Sequence, residues 1–220
     1  GNIVIFPVYQ SNLRTPPAQF TPNALAAVKD ALSRLQADLG LLPDTDHFAL
    51  VGHSMGGIVA ANLAAEPGLP KARALMSVQP GKTWGAFGAA PLADLSKLPA
   101  DLLLLTVAGD QDRLVGDTDA KKIFSQASSL APENKNYVVV HSDQHQGYSL
   151  TADHLAPTGM TLDALDYYGY WKLLDGLLDA AFYGQNRAYA LGGTTEQEYM
   201  GKWPDGTPIQ PLSVYLTLPQ

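Results

Sequence analysis

A glycine-flanked serine between an apolar run and a helix-like segment constrains this chain more than any other feature. Residues 48–51 are typical of a buried strand, Gly52-His53-Ser54-Met55-Gly56 follows, and residues 58–65 are typical of a helix. Strand, tight turn and helix in this order predict a nucleophile elbow, in which a strained turn exposes the serine hydroxyl. We expect side chains in place of the two flanking glycines to collide with the neighbouring strand and helix.

The same turn leaves a backbone N–H group at the start of the predicted helix. The Met55 N–H has no intrahelical partner there, and the helix dipole favours negative charge at that end. An N–H group in this place can stabilise the oxyanion that forms when a serine attacks a carbonyl carbon. We therefore predict Met55 N–H as an oxyanion donor.

Apolar runs alternate with helix-like segments along the rest of the chain. Strands are predicted at residues 3–8, 48–51, 72–78, 102–107 and 137–141, and helices at 22–39, 58–65, 117–130 and 163–182. This alternation predicts an α/β fold with a mostly parallel sheet of about five strands and helices on both faces. The strand at 3–8 is apolar throughout, and we expect it close to one edge of the sheet.

The domain organisation that we predict is simple. Residues 1–220 form one domain, in which residues 79–100 are a short lid-like insertion and residues 184–220 an irregular carboxyl-terminal tail. The length of 220 residues suffices for a sizeable core, and we find no internal repeat.

Composition excludes several classes of function. The formal net charge is -7 without a cluster of lysine and arginine, so nucleic acid and anionic membranes are poor candidates as partners. The chain has no cysteine, which excludes disulfides, thiolate metal sites and cysteine nucleophiles. No apolar run is long enough for a membrane span, and we expect no metal and no other cofactor. Compartment and oligomeric state stay open.

The loop at residues 108–115 supplies the candidate acid. Gly109 begins a turn after an apolar strand, and two aspartates follow it. Active sites of parallel sheets lie at the carboxyl ends of the strands, which is where this loop lies. We assign Asp112 as the acid, with Val115 available to pin the loop to the core, and keep Asp110 as the alternative. Aspartates are also common in turns for purely local reasons.

Five histidines compete for the role of base. His47 enters the elbow strand from the wrong end, His53 neighbours the serine but leaves the turn in another direction, and His141 is structural at the end of the last strand. His145 and His154 both satisfy the chain order serine, aspartate, histidine. We favour His154, which stands just before the last helix, and keep His145 as the alternative.

These residues resemble the α/β-hydrolase superfamily. The elbow, with Gly57 after it, is similar to the lipase and esterase form of the motif, and residues 109–115 resemble the acid loop of that family. The loop after the last strand, which carries His145 and His154, and the last helix also resemble that family, so the resemblance covers residues 2–183. It implies a hydrolase of carboxylic esters, and the implied partner is a small-molecule ester.

The resemblance also implies roles for the site residues. Ser54 attacks the ester carbonyl and forms an acyl-enzyme intermediate, the histidine accepts and returns the proton, and Asp112 orients the imidazole. We expect His53, Trp84 and Phe87 to line the substrate pocket.

One departure from the family pattern concerns the front of the chain. The family has several strands before the elbow strand, and a loop among them supplies the second oxyanion N–H. Only residues 3–8 stand in that place here, so we expect an amino-terminally truncated or degenerate hydrolase. The alternatives are a non-catalytic member of the fold that binds a ligand or a partner, and a peptidase or acyltransferase.

Overall fold

The computed structural model describes residues 1–85, 89–159 and 161–219. Its strands are β1 (Phe48–His53), β2 (Ala72–Val78), β3 (Leu103–Gly109), β4 (Lys135–Val140), β5 (Asp143–His145), β6 (Tyr148–Leu150) and β7 (Ser213–Tyr215). The main sheet has the order β1-β2-β3-β4-β7, in which β1 to β4 are parallel and β7 is antiparallel to β4. Strands β5 and β6 form a separate antiparallel hairpin.

Helices connect these strands. The α-helices are α1 (Phe20–Leu39), α2 (Met55–Ala64), α3 (Thr118–Gln126), α4 (Lys172–Tyr183) and α5 (Thr195–Glu198). A wide π-helical segment (Leu165–Trp171) leads directly into α4. Short 3-10 turns lie at Pro17–Gln19, Leu95–Lys97, Pro132–Asn134, Ala156–Thr158 and Arg187–Tyr189. As predicted, Gly40 ends α1 in the left-handed conformation, with φ of 63°.

Alternating side chains of the central strands build two layers of core. Leu75 and Leu104 are buried against helices α1, α2 and α3 on one face of the sheet. Met76 and Leu105 point to the other face, where they pack with α4. The predicted α/β fold, with a mostly parallel sheet and helices on both faces, is therefore confirmed.

The predicted strand at residues 3–8 is wrong. The segment forms no strand, and four of its apolar side chains (Ile3, Val4, Phe6 and Val8) are exposed, with Phe6 at 91% of its surface accessible. A strand needs a hydrogen-bonded neighbour, but in the described part of the chain β1 pairs with β2 alone and residues 3–8 do not pair with its other edge. Apolar composition indicated burial, but within the described residues most of this segment is exposed.

The fifth strand of the main sheet comes instead from the tail. Residues 184–220 contain β7, which pairs with β4 through Val138 and Val214, and also the short helix α5. The apolar pattern is too short there to predict a strand, since β7 has three residues. The tail is therefore more regular than we predicted.

Candidate active site

The serine of the elbow lies on a strained turn between β1 and α2. Ser54 has φ of 53° and ψ of -127°, a conformation that non-glycine residues rarely adopt. The neighbouring strand fixes the turn, because the Ser54 N–H donates to the Val78 carbonyl at 3.0 Å and the Gly81 N–H donates to the Ser54 carbonyl at 2.8 Å. The backbone is thus held at the carboxyl edge of the sheet.

The steric need for glycine in the elbow differs from our expectation at one position. A Cβ atom on Gly52 would lie 2.1 Å from the Gly56 carbonyl oxygen, so a side chain there collides with the helix as predicted. A Cβ on Gly56 would meet nothing within 4 Å. The close approach to the neighbouring strand occurs at Gly57, where a Cβ would lie 2.8 Å from Ser77 Oγ. The glycine that faces the strand is therefore one residue later than predicted.

Three side chains from three loops meet at this edge. His154 Nε2 lies 2.8 Å from Ser54 Oγ, and His154 Nδ1 lies 2.8 Å from Asp112 Oδ2. The histidine side chain is 8% exposed and that of the aspartate is 0% exposed. We call these residues the elbow triad. Both ring nitrogens are engaged, so the imidazole has one orientation that suits proton transfer at the serine.

The loop after β3 holds the aspartate by its own backbone. Asp112 Oδ1 accepts hydrogen bonds from the N–H groups of Leu114 and Val115, each at 3.0 Å. The other carboxylate oxygen is left for the histidine. The backbone N–H groups of Leu114 and Val115 therefore fix the rotamer of the carboxylate, and a contact of the Val115 side chain with the core stays a prediction.

The alternative acid and the structural histidine lie together in a second group. Asp110 accepts from the Ser142 N–H at 3.0 Å and from the Ser142 hydroxyl at 2.7 Å. His141 Nδ1 lies 3.4 Å from Asp110 Oδ2, and His141 Nε2 lies 2.8 Å from Ser213 Oγ. We call Asp110, His141 and Ser213 the outer group. Asp110 contacts none of the elbow triad, so the structure does not bring it to the serine.

The alternative base, His145, lies in the β5–β6 hairpin. Its Nε2 is 2.7 Å from Asp205 Oδ2, and its ring stacks on Trp203 at a centroid distance of 5.7 Å. Trp203 in turn donates from Nε1 to Asp143 at 3.0 Å. These contacts tie the hairpin to the tail, and they leave His145 away from Ser54.

The sequence profile of the Alpha/beta hydrolase family matches residues 7–207, which is most of the chain. The chain belongs to the alpha/beta hydrolase family. No curated protein sequence matches this alpha/beta hydrolase.

Several solved structures are similar to this alpha/beta hydrolase at low identity. MGS-M1, an alpha/beta hydrolase enzyme from a Medee basin deep-sea metagenome library, is 22% identical with a TM-score of 0.47, and the match covers 73% of this chain and 65% of that one. The butyrate-bound esterase Est2 from Thermogutta terrifontis is 16% identical with a TM-score of 0.49, and the match covers 74% of this chain and 67% of that one. The chain therefore spans about two thirds of these structures.

The backbone beside the serine of this alpha/beta hydrolase presents a free donor. Met55 is the first residue of α2, and no acceptor among the described residues pairs with its N–H group. The helix dipole gives that end of α2 a partial positive charge. The geometry is compatible with an oxyanion donor at Met55.

The residues expected to line the pocket differ in their surroundings. The His53 ring packs on the His154 ring at a centroid distance of 4.8 Å, and burial lowers the pKa of His53 below its ordinary value. Trp84 is 60% exposed in the loop after β2. Phe87 lies outside the described residues. A substrate contact at any of these three positions stays a prediction.

A further residue at the same edge escaped the sequence analysis. Gln79 directly follows β2, is fully buried, and donates from Nε2 to the Asp153 carbonyl at 2.7 Å. Its place after a central strand was visible in the sequence, but a glutamine outside any motif gave no chemical signal.

None of the helices within the described residues is both long enough and apolar enough to cross a membrane.

Proposed function

We propose that this alpha/beta hydrolase cleaves carboxylic esters through an acyl-enzyme intermediate formed on Ser54. The observation that supports the proposal most is the unbroken hydrogen-bonded chain from Ser54 Oγ through the His154 ring to Asp112, with both links at 2.8 Å. A serine hydroxyl is a weak nucleophile unless a base takes its proton, and an oriented imidazole is the usual base.

In the first half of the proposed reaction, Ser54 Oγ attacks the carbonyl carbon of the ester while its proton passes to His154 Nε2. The imidazolium that forms faces the Asp112 carboxylate, which stabilises the positive charge. The negative charge on the former carbonyl oxygen is stabilised by the Met55 N–H at the start of α2. The C–O bond of the ester then breaks, and His154 returns the proton to the departing alcohol.

In the second half, water releases the acid. His154 Nε2 takes a proton from a water molecule, whose oxygen attacks the acyl carbon attached to Ser54. The bond between the acyl carbon and Ser54 Oγ breaks, and the proton on His154 passes back to Ser54 Oγ. The products are a carboxylic acid, an alcohol and the free serine.

Rapid kinetics with activated esters tests this proposal. We expect p-nitrophenyl acetate and butyrate to give a burst of p-nitrophenol that approaches one equivalent per chain, since acylation of an activated ester usually outpaces deacylation. Ser54→Ala should show neither burst nor turnover. The variant removes one oxygen, so its fold should stay unchanged by circular dichroism.

The panel of substrates also separates the competing functions. A folded wild-type chain with neither a burst nor turnover on any ester contradicts the proposal and favours a binding protein. Faster cleavage of peptide amides than of esters favours a peptidase. Transfer of the acyl group to an added alcohol in preference to water favours an acyltransferase.

A further inference from the structure

We propose that His53 and Gln79 are positioning residues that hold the loop bearing His154, so that its imidazole stays within reach of both Ser54 and Asp112. The inference rests on the proposed function, because it concerns the geometry of that reaction. It goes beyond the triad itself, since neither side chain contacts Ser54 Oγ or the Asp112 carboxylate.

Three successive carbonyl groups, those of residues 152–154 in the loop that bears His154 (the histidine loop), each accept a hydrogen bond from a different element. The Ala152 carbonyl accepts from the Gln111 N–H at 3.2 Å, in the loop after β3. The Asp153 carbonyl accepts from Gln79 Nε2 at 2.7 Å, at the end of β2. The His154 carbonyl lies 2.8 Å from His53 Nε2, at the end of β1. The loop is thus fixed to the ends of three neighbouring strands.

This arrangement matters because the loop has no regular structure of its own at these positions. An imidazole that bridges two partners at 2.8 Å tolerates little movement of its backbone. A displacement of about 1 Å in a reacting group can cost about 100-fold in rate. Within the loop, the Ala156 N–H donates to the Asp153 carbonyl at 3.3 Å and the Leu155 N–H donates to Asp153 Oδ1 at 2.9 Å. These local bonds shape the turn but do not tie it to the sheet, and the three bonds from the strand ends supply that restraint.

The backbone conformation of Gln79 and the burial of its amide oxygen are both energetically unfavourable. Its φ of 42° lies in the left-handed region, which is unfavourable for a residue with a side chain. Among the described residues its Oε1 atom is buried without a hydrogen-bond partner, which also destabilises the fold. Backbone strain and an unpaired buried oxygen together are typical of residues held for function. The gain that offsets them here is the bond to Asp153.

His53 adds a donor from the elbow itself. Its neutral imidazole must bear the proton on Nε2 in order to donate to the His154 carbonyl. Because His53 directly precedes Ser54 in the chain, its bond joins the backbone of the base to the backbone next to the nucleophile. Movement of one is therefore coupled to movement of the other.

Matched substitutions in the full chain separate positioning from general stability. His53→Leu and Gln79→Met remove the donors and keep roughly the same volume. His53→Gln restores an amide N–H at the same number of bonds from the backbone. We expect kcat on p-nitrophenyl butyrate to fall by about 10- to 100-fold in the first two variants, with KM changed less than about 3-fold. His53→Gln should recover most of the loss.

Two controls make the result specific. His47→Leu changes the histidine that directly precedes β1, and Gln36→Met changes an exposed glutamine of α1; both should keep the wild-type kcat. Thermal unfolding must show that every variant is folded at the assay temperature.

The outcomes distinguish the two proposals. An inactive wild-type chain contradicts the esterase function itself. An active wild type with unchanged kcat in His53→Leu and Gln79→Met overturns the positioning role alone. A loss that matches the unfolded fraction of each variant, or a loss that His53→Gln does not recover, also overturns it.

Discussion

The elbow triad and the outer group repeat one pattern of atoms at the same edge of the sheet. In each, a histidine Nε2 lies 2.8 Å from a serine Oγ while Nδ1 faces an aspartate. The distance from Nδ1 to the carboxylate is 2.8 Å in the elbow triad and 3.4 Å in the outer group. Residue types and connectivity therefore do not distinguish the two arrangements.

The surroundings of the elbow triad and of the outer group distinguish the two arrangements. The histidine and aspartate side chains are 8% and 0% exposed in the elbow triad, against 24% and 26% in the outer group. Burial strengthens electrostatic contacts because water screens them less. The carboxylate of Asp110 is also engaged by the N–H and hydroxyl groups of Ser142, so it is only partly available to its histidine.

The backbone conformation around the serine also differs between the elbow triad and the outer group. Ser54 lies on a strained turn in front of a free N–H group at a helix start. Ser213 lies in β7, where it pairs with Val139 of the neighbouring strand. A nucleophile needs a donor aimed at the developing oxyanion as well as a base. We infer that the outer group joins β3, β4 and β7, and that the elbow triad reacts.

The largest expected difference between the two groups comes from substituting their serines in turn. Ser54→Ala should lower kcat for esters by about 10⁴-fold or more, because no other group replaces the nucleophile. Ser213→Ala should stay within about 3-fold of wild type, since its loss removes one partly exposed hydrogen bond. Steady-state kinetics on p-nitrophenyl butyrate measures both. A loss at Ser213 as large as that at Ser54 would remove the distinction between the groups.

Substitution of the histidines is expected to have an effect of similar size. His154→Ala should cost about 10⁴-fold in kcat, because the hydroxyl of the serine loses its base. His145→Ala should retain most of the activity, since His145 contacts the tail. If the His154 variant keeps most of its kcat, our assignment of the base is wrong.

The two aspartates give the next comparison. Asp112→Asn should lower kcat by about 10⁴-fold, because the amide favours the wrong imidazole tautomer. Asp110→Asn should cost less than about 10-fold in kcat, and should lower the free energy of unfolding by about 1–2 kcal/mol through its bonds to Ser142. Kinetics and urea denaturation give the two numbers, and equal kinetic losses would mean that we have assigned the wrong acid.

A smaller loss of kcat is expected from a side chain that collides with the backbone of the histidine loop. A Cβ on Gly109 would lie 2.2 Å from the Ala152 carbonyl oxygen, so Gly109→Ala must displace the loop that bears the base. We expect a loss of about 10- to 100-fold in kcat. Gly159→Ala is the matched control, because a Cβ there has its nearest contact at 3.7 Å. Wild-type kcat in both variants would show that the loop tolerates displacement.

The smallest effect concerns the imidazole next to the elbow triad. Burial lowers the pKa of His53 below 6.5, so the unfolded chain binds this proton more readily than the folded chain. The free energy of unfolding should therefore fall as pH drops below about 6.5. In His53→Gln the slope between pH 5 and 6.5 should be shallower than in wild type. Parallel slopes in urea titrations would contradict the shift.

Sequence reasoning succeeded where a signal was local. The strand, turn and helix around Ser54 follow from eighteen consecutive residues (48–65), and Gly40 ends α1 as its type predicts. The strand prediction at residues 3–8 failed because burial depends on neighbours that composition does not report. Gln79 was missed for a similar reason, since its hydrogen bond joins it to a carbonyl that is distant in the chain.

The choice between His145 and His154 shows the same limit. Both follow the last parallel strand, so chain order admits either. What separates them in the structure is the β5–β6 hairpin, which carries His145 toward Asp205 and returns the chain to His154 beside the serine. A hairpin of two three-residue strands has too short a pattern to be predicted from periodicity.

Reaction with a fluorophosphonate probe, followed by peptide mapping, tests the central claim most directly. The probe bonds covalently to a serine only where a base activates the hydroxyl. We expect one modified peptide, containing Ser54, with labelling lost in His154→Ala, in Ser54→Ala and after heat denaturation. Labelling of Ser213, or a folded wild-type chain that stays unlabelled, would contradict the claim that the elbow triad is the reactive one.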